Sequence, residues 1–195
     1  MSLTVRDLAP QEVPAHLEAI AGLRIAVFRD WPYLYDGDLA YEQRYLRPYA
    51  ESADALVVAA FEGQTLVGCA TATPMEDHAD EFAAALAGAG LAAPEVYYCA
   101  ESVLLPAYRG RGLGHAFFDY REAKARALGR RWSCFCAVIR PADHPMRPAD
   151  YRPLDPFWRK RGYARVEGAE TRFAWRDIGA AVETEKPMSL WLKRL

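Results

Sequence analysis

Apolar side chains at Leu17, Ile20, Ala21, Leu23 and Val27 recur at helical spacing, which predicts a helix with one buried stripe, preceded by a short strand at residues 3–6. The aromatic segment 28–35, with Trp31-Pro32 and then Asp36-Gly37, breaks that helix, and a second follows over 38–49. Two apolar, β-branched runs, 55–61 and 65–73, flank Glu62-Gly63-Gln64 and read as a hairpin. A helical pattern over 76–86 ends at the glycines and proline of 88–94, and the run 96–105 predicts a central strand. From Gly112 an apolar face of Leu113, Ala116, Phe117, Tyr120, Ala123 and Ala127 continues to Gly129, the pattern of an amphipathic helix. Segment 132–139 alternates Cys134 and Cys136 with Phe135 and Ala137, as a strand does. A proline-rich loop spans 141–156, a short helix 157–161 stops at Gly162, and strands are expected at 164–166, 172–177 and 189–193. This mixed order predicts an α/β fold whose sheet is part parallel and part antiparallel, with helices on both faces.

The 195 residues fit one domain spanning 1–195, and 52% hydrophobic with 12% aromatic residues supplies a core that a disordered chain lacks. Twenty-four basic against 26 acidic residues give a net charge of -2, which argues against nucleic acid or an anionic membrane as partner. No segment reaches the roughly 18 consecutive apolar residues of a spanning helix. Asp7 and Glu12 stand where a signal sequence would be basic, so a cytoplasmic location is expected. Cys69, Cys99, Cys134 and Cys136 lie in apolar runs without CxxC pairs or nearby histidines; they read as buried, reduced thiols, with no metal site.

Arg109-Gly110-Arg111-Gly112-Leu113-Gly114 falls where the predicted central strand gives way to the amphipathic helix. Glycines there permit positive φ and close ligand approach, and a helix N-terminus offers unpaired N–H groups to an anion. A dinucleotide fingerprint needs a further glycine where His115 or Phe118 stands, and a phosphate-binding Walker loop needs Gly-Lys-Ser/Thr; both are missing. A purely structural turn is the alternative.

Arg109-x-x-Gly112-x-Gly114 after the extended Ser102-Val103-Leu104-Leu105-Pro106 resembles the acyl-CoA loop of the GNAT acetyltransferase superfamily. The segment Phe157-Trp158-Arg159-Lys160-Arg161-Gly162-Tyr163 is similar to that superfamily's second motif. The resemblance implies a V-splayed sheet that holds the pantetheine arm of acetyl-CoA. Main chain near Val103 and Leu104 would pair with that arm, and pyrophosphate would sit on the turn formed by Arg109, Gly110, Arg111, Gly112, Leu113 and Gly114. It also implies direct attack of a primary amine on the thioester, the acceptor being a small molecule, peptide or protein. In this chain Trp158 occupies the position commonly held by a tyrosine that protonates the leaving thiolate, and tryptophan supplies no acidic proton.

Glu101 lies in an otherwise apolar strand, where partial burial disfavours a bare charge and suits it to general base work, with Glu95 and Tyr98 as substitutes and an arginine-paired structural carboxylate as the alternative. Tyr151 is expected to protonate the thiolate, with Tyr163 or unassisted departure as alternatives. Trp31, Tyr33, Tyr35 and Asp36 would make an acidic, aromatic rim for a cationic amine, and His144 lies in the opposite loop. Two other classes remain open at this stage: a non-catalytic acyl-CoA-sensing module, and an interaction protein whose glycine turn is only structural. The apolar last strand near 190–192 suggests a homodimer formed by strand pairing.

Overall fold

A strand with no polar face must be covered on both sides, and Leu56–Glu62 is such a strand: Val58 and Ala60 face one helical layer, Val57 and Ala59 the other. In the computed structural model, which describes residues 2–195, the strands are β1 (Leu3–Asp7), β2 (Leu56–Glu62), β3 (Thr65–Pro74), β4 (Val96–Leu104), β5 (Trp132–Val138), β6 (Ala164–Trp175) and β7 (Thr184–Arg194). The helices are α1 (Val13–Phe28), α2 (Leu39–Glu51), α3 (Ala79–Ala89), α4 (Leu113–Ala127) and α5 (Asp155–Lys160). All seven strands form one mixed sheet in the order β1-β2-β3-β4-β5-β7-β6. The expected α/β class with helices on both faces is what the structure shows. Phe117 and Phe118 of α4 pack on one face, while Ile20 and Leu23 of α1 and Phe82 of α3 pack on the other.

β4 and β5 are parallel and pair only over Val96↔Trp132, Tyr97↔Ser133 and Tyr98↔Cys134. Beyond Tyr98, β4 stays with β3 as far as Leu104 while β5 stays with β7 as far as Val138. The sheet therefore opens into a V at its centre, as the family resemblance implies. Just past the fork, Thr71 pairs with Glu101 but Thr73 pairs with Tyr98, so two residues of β4 oppose one of β3 in a bulge. A bulge shifts the side-chain alternation by one, and it puts Glu101 on the same face as Tyr98, the face covered by α1 and α2.

Three expectations change. The strands expected at 164–166 and 172–177 are one strand, β6, whose register slips between Arg165 and Glu170, where Gly168 takes φ 73°. The helix expected over 76–86 begins as a separate 3-10 turn, Met75–His78. The last strand is not an edge: β7 pairs with β5 on one side and β6 on the other, so no ladder is free there for a second copy. The four cysteines are free and buried, and burial, aided by the charge of Glu101, pushes the Cys69 thiol up to about 12.

Candidate active site

The V encloses a cleft of about 1000 Å³. Leu105 donates its N–H to Val67 O at 3.0 Å, so by two-residue alternation the main chain of Val103 faces β3, and that of Ser102 and Leu104 faces the side β5 has left. Leu104 and Ser102 line the cleft. Val103 does not: its side chain is buried with α1 residues, which corrects half of the expected Val103–Leu104 pair.

At the cleft's end the turn rises into α4. Gly110 and Gly112 hold φ of 74° and 83°, backbone that other residues adopt only under strain, and no side chain caps the helix. Arg109, Gly110, Gly112 and Gly114 line the cleft, with Arg109 also donating to Leu104 O at 3.3 Å. Arg111 turns away, its guanidinium over the Tyr108 ring, and Leu113 is a buried core residue; neither side chain faces the cleft. Three donors on residues that line the cleft, Trp31 Nε1, Arg121 Nη2 and Trp191 Nε1, are buried and have no partner among the described residues.

A smaller cavity of about 230 Å³ lies against α1, α2 and α3. Glu101, 8% exposed, belongs to the walls of both spaces, together with Ala100, Phe28, Tyr33 and Cys136. Its carboxylate meets Arg24 Nη1 at 2.6 Å and accepts from the Tyr45 hydroxyl at 3.2 Å, so it is a buried member of a cluster and not a lone carboxyl in an apolar strand. Arg24 also pairs with Glu42. Burial would lower the Arg24 value, but Glu101, Tyr45 and Glu42 hold it well above the usual arginine range. Burial first, and then the Glu101 charge, raise Tyr45 well above an ordinary tyrosine.

The other candidates separate. Tyr151 lines the large cleft, its ring 5.9 Å from Trp31, and burial with the Asp155 charge raises its hydroxyl's affinity for its proton. Tyr163 is 2% exposed and hydrogen-bonded to Ser133 at 2.7 Å, away from both spaces. Trp158 lines the cleft as part of an aromatic wall with Phe135 and Trp191. Glu95 is paired with Arg131, and Tyr98 lines the smaller cavity. Of the aromatic rim, Tyr35 reaches the smaller cavity, Trp31 the larger and Tyr33 both. Asp36 reaches neither, being paired with Arg176 at 2.9 Å and Arg29 at 3.4 Å, and His144 packs on Trp31 outside both.

Arg140 holds the rim in place. Its guanidinium grips Asp177 with two 2.8 Å bonds while donating to Pro32 O at 2.9 Å and Tyr33 O at 2.6 Å. Sequence reading missed this brace, and it missed Arg24, Glu42, Tyr41, Tyr45 and Glu81 around the smaller cavity. A signal existed for Arg24 and Glu42, which are charged residues at positions that helical spacing assigns to the buried stripes with Ile20, Leu23, Leu46 and Tyr49.

Residues 23–147 match the family model for the acetyltransferase (GNAT) family. The chain belongs to that family. Solved structures with the GNAT fold align over nearly the whole chain at low identity. The polyamine N-acetyltransferase of Drosophila melanogaster, an enzyme that forms N-acetylagmatine, matches at TM-score 0.62 and 13% identity over 100% of each chain. The ribosomal-protein-alanine N-acetyltransferase of Brucella melitensis matches at 0.63 and 12%, over 98% of this chain and 99% of that one. The PaiA N-acetyltransferase of Thermoplasma acidophilum, solved with coenzyme A, matches at 0.58 and 14% over 100% of each. No curated protein matches the sequence. Among the described residues no helix is long and apolar enough to cross a membrane, and no group of His, Cys, Asp or Glu could hold a metal ion.

Proposed function

We propose that this GNAT chain transfers the acetyl group of acetyl-CoA to a primary amine by direct attack, with residues 1–195 acting as one acyltransferase domain. The observation that carries the reading is the place of Glu101 in the wall shared by two cavities, one for each substrate. The larger suits acetyl-CoA: a strand whose main chain at Ser102 and Leu104 is unpaired with any strand other than β3, an uncapped helix N-terminus behind Gly110 and Gly112, and unbonded donors on Trp31, Arg121 and Trp191.

In this reading the amine enters from the smaller cavity and gives its proton to Glu101, directly or through water, while Arg24 and Tyr45 fix the carboxylate. The nitrogen lone pair forms a bond to the thioester carbon, the C–S bond breaks, and the thiolate takes a proton from Tyr151, which recovers one from water. The products are the amide and free CoA thiol. Partial burial and the Asp155 charge keep the Tyr151 hydroxyl protonated until the thiolate forms.

Thiol release from acetyl-CoA in the presence of primary amines tests this. Wild type releases thiol, and Glu101→Gln lowers kcat by about 10²–10⁴-fold while binding acetyl-CoA with unchanged affinity. Full turnover by Glu101→Gln would remove the base, and binding of acetyl-CoA without thiol release from any primary amine would leave a sensing module instead.

A further inference from the structure

The smaller cavity carries more negative charge than amine acetylation needs. Three carboxylates, Glu42, Glu81 and Glu101, line it against one guanidinium, Arg24, with His78 beside Glu81. Arg24 serves Glu42 and Glu101 together, so it offsets only one of them. Glu42 is 0% exposed, and its Oε1 has no hydrogen-bond partner among the described residues, while burial and then the charge of this carboxylate push the nearby Tyr35 hydroxyl up. A buried, unbonded carboxylate oxygen is costly unless something supplies the missing donor. Around these groups stand six aromatic rings: Arg24 already lies over Phe28 and Tyr45, and Arg140 and Lys186 over Trp175, while Tyr33, Tyr41 and Phe173 carry no cation among the described residues and can attract one.

An amine attacks a thioester only after losing its proton, so the reacting nitrogen brings no positive charge to this pocket when the bond forms. The excess negative charge and the aromatic cage must serve a different group. We infer that the acceptor is a short aliphatic diamine or its close chemical equivalent: one amine reacts beside Glu101, and a second cationic group, which stays protonated, is held by Glu42 and Glu81 among the rings. The inference rests on the proposed acetyl transfer. A cavity of about 230 Å³ accommodates such a chain.

Three acceptors of equal length and different terminal charge test it: 1,4-diaminobutane, 4-aminobutan-1-ol and 4-aminobutanoate. Calorimetric binding of each to the CoA-saturated protein is measured beside thiol release from acetyl-CoA. The diamine is expected to bind at least about tenfold more tightly than the amino alcohol and to show the higher kcat/KM, with the amino acid weakest. Raising the salt concentration, and separately Glu81→Gln, narrows the gap between diamine and alcohol. Thiol release without a charge order overturns the diamine inference and leaves the transferase standing. Charge-ordered binding without thiol release overturns the transferase. No binding of the diamine at all overturns the inference.

Discussion

Arg24 sits within the apolar stripe of α1, between core positions Ile20 and Leu23 on one side and Val27 on the other, and it is 7% exposed. A charge in that position requires partners, and Glu42 and Glu101 are those partners. Arg24→Met would leave two carboxylates buried without a cation; we expect a loss of about 3–5 kcal/mol in urea unfolding, well above the effect of an exposed arginine. A stability unchanged by this substitution would show that the cluster is solvated in solution. Gly112 poses a backbone question instead. A Cβ there meets nothing within 4 Å, so the cost of Gly112→Ala comes from φ 83° alone, about 1–2 kcal/mol. Because that conformation aims the N–H groups of the turn, acetyl-CoA affinity should fall by about tenfold or more in a direct titration.

At the scale of elements, the legible parts were those set by short-range signals. The glycine turn, the strand before it and the amphipathic α4 declare themselves within about twenty residues, and all three stand where the sequence put them. Glu101 was legible as a carboxyl in an apolar strand but not in its geometry, since the bulge between Thr71 and Thr73 decides which face it takes and β3 supplies half of that register. Its cluster partners come from α1 and α2, 77 and 59 residues earlier by number, a pairing that no local pattern reveals. Asp36 was misplaced for a related reason: the arginine that occupies it, Arg176, lies beyond β6, outside any local window.

The Arg140 brace joins the rim segment to the turn after β6, where Tyr35 also pairs with Asp177 across an isolated bridge. Arg140→Ala should raise KM for the acceptor and also weaken acetyl-CoA binding, because Tyr33 and Tyr35 border the smaller cavity while Trp31, Pro32 and Tyr33 border the larger; unchanged constants for both substrates would contradict this role of the brace. Burial would raise the Asp177 value, but hydrogen bonds and charge from Arg140, with Lys186 behind, hold it below the usual 3.8. A carboxyl held low in the folded state adds stability above its unfolded value and loses it as pH falls through the lower, folded one. The brace therefore holds at neutral pH and weakens only below about pH 4, and Arg140→Ala should flatten the acid limb of the thermal-stability profile.

At the scale of the whole molecule, one topological choice makes both cavities. β4 and β5 are parallel neighbours that share only three residue pairs, so the sheet cannot close and the opening runs through it from the α4 face to the face of α1, α2 and α3. In the proposed reaction one substrate approaches from each side and the two meet at Glu101. The same arrangement buries β7 between β5 and β6, which is why an apolar terminal strand fills the core here and offers no edge for pairing. The most direct test of this account is thermal unfolding with acetyl-CoA, CoA or ADP in parallel. If the open V and its glycine turn hold the whole donor, acetyl-CoA and CoA at about a hundred times their dissociation constants each add about 2.7 kcal/mol, and ADP at the same concentration adds clearly less. No shift with any of the three would contradict the account and leave residues 109–114 as a structural turn.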